Sequence, residues 1–307
     1  MKEASKGHLS IFAVNLIFGF NTPITKSVLS ELHIQPLALT FLRFAGAAAA
    51  FWIASCFIKT AKATKKDIGL FFIASILGIV LNQMLFVVGL ASTSPVDASI
   101  IVTIVPILTM IIAAFYLKEP VTTKKVAGVL IGLAGALLLI LTSNHSGAQS
   151  GSLKGDLLCI GSCLAYATYL TVFRDLIKRN HPVVLMKWMM LFGALISTPF
   201  CYQSVIAVDI PSLTTDEILK VCYVVLFATF VAYLLIAIGQ ARLRPTTLTM
   251  YNYFQPVVTT LISVYLGLDV FGWHKALAAG LVFLGVYVVT KSKSRQQIEE
   301  QRAALHK

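Results

Sequence analysis

Six stretches of at least 20 residues in this chain carry no Lys, Arg, Asp or Glu: residues 68–96, 98–117, 126–153, 188–208, 221–241 and 245–268. Crossing the roughly 30 Å hydrocarbon core of a bilayer takes about 20 apolar residues in a helix. Inside lipid only a helix or a closed barrel satisfies every backbone N–H and C=O. These runs do not alternate polar and apolar residues, so they read as helices and not as barrel strands. Charged residues make up 12% of the chain, against about 25% in soluble domains. That deficit excludes a surface that faces water throughout. The net charge of +12 would fit nucleic acid in a soluble chain. Here the positive residues sit in short loops and tails, where anionic lipid is the natural partner and nucleic acid is not.

Spans are expected at about 9–29, 36–58, 68–91, 95–117, 125–142, 155–175, 182–202, 217–240, 245–267 and 273–290. The first is too long, and lacks the closing A-x-A-like site, for a cleavable signal. Pro36, Pro95, Pro182 and Pro245 each stand near a proposed start, where a missing N–H costs little. With the N-terminus cytoplasmic, 19 Lys and Arg residues fall inside and four (Lys26, Lys154, Lys220 and Lys275) fall outside. This bias places both termini in the cytoplasm. The remaining two, Arg43 and Lys187, lie within spans.

The second half repeats the first at an offset of 150 residues: Pro95 with Pro245, Pro106 with Pro256, Gly89 with Gly239, Gly135 with Gly285, Asp67 with Glu217 and Lys125 with Lys275. Upstream the offset slips, pairing Pro36 with Pro182 and Gly7 with Gly155. The expected organisation is a first five-helix repeat over 8–142, a linker at 143–153, a second repeat over 154–291 and a polar tail at 292–307. Five is odd, so equivalent helices cross in opposite directions. The fold class is therefore an all-α integral membrane protein of ten helices in two inverted repeats. Such halves with a site at their interface are the recurring design of secondary carriers.

The opening helix, from Asn15-Leu16-Ile17-Phe18-Gly19-Phe20-Asn21-Thr22-Pro23 to Lys26, resembles the EamA-type ten-helix exporters of the drug/metabolite transporter superfamily. So do Arg43, the Ser94-Pro95-Val96-Asp97-Ala98 opening, Pro106, the Lys118-Glu119-Pro120 end and the Gly-rich stretch 128–135. The resemblance covers roughly residues 8–291, and it implies an inner-membrane carrier with a central cavity that moves amino acids or other small metabolites, often outward. In the second half Asp269-Val270 stands in place of the Glu-Pro pair, and Ala165-Tyr166 in place of Ile17-Phe18.

Ionisable and polar groups within spans are the candidate solute contacts. Arg43 lies seven residues past Pro36, about 10 Å into its helix. Its planar fork suits a carboxylate or phosphate, although a structural tie to carbonyls or snorkelling would also place it there. Lys26 stands near the outer end of the first helix, while Lys187 reads as a snorkelling residue. Pro23 frees the carbonyl of Gly19 and can kink the helix, exposing a segment with Asn21. Asn82 and Gln83 lie deep in the third helix; their repeat counterparts are Ala232 and Tyr233. Asn15, Asn82 and Gln83 could equally serve contacts between helices. Pro106 and Pro256 interrupt matching helices. Tyr251, Asn252 and Gln255 beside Pro256 form the strongest cluster, with Tyr251 and Gln255 four apart on one face. Tyr166 and Tyr169 form a second aromatic wall.

Asp97 reads as part of a cap with Ser94 and not as a proton carrier. Cys159 and Cys163 read as packing residues, and no metal, cofactor or disulfide framework is expected. The Gly128–Gly132 spacing allows close helix approach, within the chain or in a homodimer. No H-E-x-x-H, G-x-S-x-G or phosphate-loop motif is present, so an enzyme is disfavoured. A non-transporting sensor or assembly subunit is the other alternative.

Overall fold

A computed structural model of the chain describes residues 3–31, 34–59, 63–90, 92, 101–142, 152–208, 213–265 and 272–292. Among these residues there is no strand. The helices are α1 (Glu3–Glu31), α2 (Pro36–Cys56), α3 (Lys65–Leu90), α4 (Val105–Tyr116), α5 (Thr123–Thr142) and α6 (Leu153–Val172, extended by Arg174–Arg179). They continue with α7 (Pro182–Ile206), α8 (Thr215–Arg242), α9 (245–265) and α10 (Trp273–Thr290). Six of them (α2, α3, α6, α7, α8 and α10) are long and apolar enough to cross a membrane. The other expected spans fall on α1, α4, α5 and α9.

The starts follow the local chemistry. Pro36, Pro182 and Pro245 occupy the first turns of α2, α7 and α9, after an extended residue. Thr64 caps α3 by accepting from the Asp67 N–H at 3.1 Å. The repeat-related Thr214 caps α8 in a full capping box with Glu217. Pro95 and Asp97 lie outside the described residues. Pro23 does not end or split its helix: α1 runs from Glu3 to Glu31, because neighbouring helices can stabilise a proline-containing span.

The two halves interlock. α1 packs on α8 and α9, while its repeat counterpart α6 packs on α3 and α4. α2 lies along α7, and α5 along α10. Each half therefore lends its first helix to the other. The α5–α10 seam is tight because it is made of glycine: a Cβ on Gly285 would sit 2.5 Å from the Gly132 nitrogen and 2.7 Å from the Gly128 oxygen. The small-residue stripe expected at Gly128–Gly132 thus serves packing within the chain.

Among the described residues, three ion pairs join the halves at the end of the bundle where α1 begins: Glu3 with Arg242, Asp67 with Arg179, and Glu119 with Arg174. Glu119 also holds the buried Lys125 ammonium at 2.8 Å, which is how α5 tolerates a cation away from water.

One irregularity recurs. α3 widens into a π-helical segment at Ile76–Leu81, and α8 does so at Leu226–Val231. The two segments lie 150 residues apart, at the spacing of the repeat.

Candidate functional site

A cavity of about 310 Å³ lies between the α1–α8–α9 group and the α3–α4–α6 group, with Arg43 of α2 and Met186 of α7 on its wall. This volume is within the range of small-molecule sites, about 300–1,000 Å³. The walls are mainly apolar or aromatic, and the polar groups come from α1, α2, α3, α6, α8 and α9.

Arg43 is the cation on the lining. Its Nε donates to the Thr229 Oγ1 at 3.0 Å. It makes no ion pair among the described residues. Asn82 and Ser162 clasp α3 to α6: the Ser162 hydroxyl donates to the Asn82 carbonyl at 2.6 Å, and the Asn82 amide donates back to the Ser162 Oγ at 3.2 Å. The Gln83 amide donates to the Asn82 Oδ1 and to the Tyr233 hydroxyl, both at 3.1 Å. The Tyr169 hydroxyl donates to the Gln240 Oε1 at 3.0 Å, with both residues buried. Its ring occupies the notch left by Gly78, where an added Cβ would come within 2.7 Å of it. The Asn15 amide is spent on the Ile11 carbonyl at 2.8 Å. The Asn21 Oδ1 is buried and has no hydrogen-bond partner among the described residues. An acceptor left so costs free energy unless something donates to it.

Of the residues singled out from the sequence, the cavity brings together Asn21, Arg43, Asn82, Gln83, Tyr166, Tyr169, Asn252 and Gln255. Tyr251 stands apart. Its hydroxyl pairs with the His8 Nδ1 at 2.8 Å, and its ring stacks on Phe254. The reason is helical winding: Tyr251–Tyr253 is a 3₁₀ turn, with three residues per turn instead of 3.6. The expected face shared by Tyr251 and Gln255 is therefore broken, and Gln255 turns inward without it.

Pro106 and Pro256 flank this irregular backbone without lining the cavity. The chain turns at 103–104 just before Pro106, and the 3₁₀ turn precedes Pro256. The Tyr253 hydroxyl donates to the Thr103 carbonyl at the opposite break, at 3.0 Å. The side chains of Lys26 and Pro23 lie outside the described residues. Lys187 points its ammonium over the Trp52 ring, 4.7 Å from the centroid, and does not line the cavity.

Three contributors carried little signal in the sequence. Thr229, Ser162 and Gln240 are single polar residues in apolar runs, and nothing local separates them from solitary packing residues. Tyr233 was visible as the repeat counterpart of Gln83. Among the described residues no group of three or more His, Cys, Asp or Glu stands close enough to hold a metal ion.

The same two-part architecture appears in known proteins. The EamA-like transporter family model matches the chain twice, over residues 5–141 and 153–291. The chain belongs to that family, and it is a multi-pass membrane transporter of the family's type. It is 28% identical over 287 residues to the uncharacterized transporter YyaM of Bacillus subtilis, covering 91% of this chain and 93% of that one. It is 26% identical over 266 residues to an uncharacterized transporter of Archaeoglobus fulgidus, covering 86% and 92%. A solved crystal structure with 22% sequence identity superposes with a TM-score of 0.76, over 93% of this chain and 96% of that one. That likeness is one of fold.

Proposed function

We propose that this protein is a secondary carrier that exports small carboxylate-bearing metabolites, amino acids or related solutes, by alternating access of the central cavity. It sits in the inner membrane as ten spans with both termini cytoplasmic, an orientation supported by the placement of its Lys and Arg residues.

The observation that carries the reading is Arg43. A guanidinium is costly to keep within a membrane and is retained where it pairs or binds. Arg43 lines a mostly apolar cavity with its Nε used and no carboxylate of the described residues beside it. The solute's own carboxylate is the partner that fits. Asn21 lies on the same lining, and Tyr166 and Asn252 supply wall.

Alternating access requires the α1–α8–α9 and α3–α4–α6 groups to rock against each other. Among the described residues, the bonds that join them across the cavity are Gln83 to Tyr233, Tyr169 to Gln240 and Tyr253 to Thr103. They are neutral and few, so they break at modest cost, about 0.5–1.5 kcal/mol each.

The test is efflux from proteoliposomes loaded with a mixed pool of amino acids, organic acids, nucleosides and sugars, read by mass spectrometry. Selective loss of carboxylated solutes supports the proposal. Retention of every solute, with and without a pH gradient, would remove the carrier reading; loss confined to uncharged solutes would remove the carboxylate.

A further inference from the structure

We infer that Thr229 is a positioning residue for the solute's carboxylate: it holds the Arg43 guanidinium by its Nε and leaves the two Nη groups to receive the carboxylate end-on. The inference rests on the carrier reading above, in which Arg43 binds the solute.

Thr229 is fully buried on α8 and does not line the cavity. It lies in the π-helical segment Leu226–Val231. A π turn widens the backbone ladder and lets a side chain reach a carbonyl that a regular turn would keep to itself. The Thr229 hydroxyl takes that place, donating to the Val224 carbonyl five positions back at 2.8 Å. A hydroxyl has one proton and two lone pairs. With the proton committed to Val224, the oxygen can only accept, and the Arg43 Nε is the donor it accepts from, at 3.0 Å.

This bond decides how Arg43 can grip. A guanidinium presents its donors in a fixed planar fork, and a carboxylate can be held side-on by Nε and one Nη or end-on by both Nη. Thr229 takes the Nε, so the side-on grip is closed and the end-on grip remains. The hydroxyl also bears on direction within the cavity. The repeat-related position in the first π segment is Ile79, which lines the cavity with an apolar side chain. The anion-holding device is thus built at one of two symmetric places, and a solute with one charged end has one orientation to take.

The experiment compares Thr229→Val, which keeps the branched shape without the hydroxyl, with Thr229→Ser, which keeps the hydroxyl. Two quantities are read on the purified full chain. The first is transport of a carboxylated solute and of its carboxamide in proteoliposomes. T229V is expected to raise KM for the carboxylate about tenfold, the size of one charge-assisted hydrogen bond, with kcat within about twofold, and to flatten the preference for carboxylate over amide. T229S is expected to keep both. The second is the slowly exchanging Nε–H signal of Arg43 in ¹⁵N-arginine-labelled protein, assigned by its disappearance in Arg43→Lys; it should be lost in T229V and kept in T229S. An unchanged signal in T229V overturns the bond. A lost signal with unchanged KM overturns the positioning role. If T229V does not fold, T229S decides, because loss of carboxylate preference while the hydroxyl is retained also overturns the inference. If the unmodified protein moves no carboxylated solute, the carrier reading fails and the positioning role fails with it; the Arg43 signal then tells whether Thr229 still holds the guanidinium.

Discussion

The Gln83 amide donates to the Tyr233 hydroxyl at 3.1 Å, and the two residues lie 150 positions apart. Tyr253 and Thr103 are joined across the same interval. Residues that are equivalent in the two repeats touch only where the repeats meet on their symmetry axis, so these bonds mark the axis at the cavity. Tyr233→Phe removes one end of the first. The Gln83 amide then keeps only Asn82, and the cavity wall loses its order. We expect solute KM to rise several-fold, with folded yield and melting temperature little changed. A melting temperature that fell as far as for a core cavity would show that the bond serves stability instead.

Arg43→Ala should abolish selective transport of carboxylated solutes, and Arg43→Lys should restore only part of it. Lysine supplies the charge as a point and not as a fork. Thr229 would be left without its donor in Arg43→Ala, so that variant should not gain stability. Intact carboxylate transport by Arg43→Ala would rule out the assignment of the cavity's cation to the solute.

Tyr169→Phe leaves the buried Gln240 oxygen without its donor and unties α6 from α8. The expected net loss is about 1 kcal/mol, which is roughly a fivefold shift in any equilibrium that the bond holds. In the proposed orientation this bond lies toward the cytoplasmic end of the cavity. Cysteine probes placed beside it should therefore label faster from the cytoplasmic side in the variant. Equal labelling would mean that the bond is not one the rocking motion breaks.

The α5–α10 seam makes a prediction with an internal control. Gly285→Ala forces a methyl against the backbone of α5, and overpacking of this kind costs about 1–3 kcal/mol. Gly280→Ala, on the same helix, meets nothing within 4 Å. The melting temperature in detergent should drop for the first and hold or rise for the second.

Glu3 sits outside the membrane, and hydrogen bonds from Lys6, and then from Arg242, hold its carboxyl below the usual glutamate range. A depressed carboxylate contributes above its unfolded pKa, and the contribution disappears as pH falls through the folded value. The start of α1 should therefore be held to α8 at neutral pH and loosen on acidification below that range. Limited proteolysis of the N-terminus across pH would show the step. Arg242→Gln should show a smaller step at a higher pH, since Lys6 remains.

Much of the fold was legible because lipid imposes simple rules. Uncharged runs marked the helices, and Pro36, Pro182 and Pro245 marked starts. The interval between Pro106 and Pro256 revealed the duplication. Which helix packs on which was not legible, since apolar faces of α1 fit α8 and α3 equally well by composition. The cavity was partly legible. Arg43, Asn82 and Gln83 stood out because a polar group in an apolar run is costly. Tyr251 misled because a single 3₁₀ turn changes the angle between neighbours without changing hydropathy. Thr229 stayed hidden for the matching reason, since a π turn leaves no trace in composition.

The paired π segments also speak to ancestry. An extra residue within a helical turn is costly to acquire and tends to persist where it serves a function. Two such turns at Ile76–Leu81 and Leu226–Val231 are more simply inherited from one than gained twice at the same place. The insertion then predates the duplication. Duplication of one unit that already carried the widened turn accounts for both. Thr229 and Ile79 then mark where the two copies differ: one widened turn encloses a hydroxyl and the other an apolar side chain, so the halves match in backbone and not in chemistry.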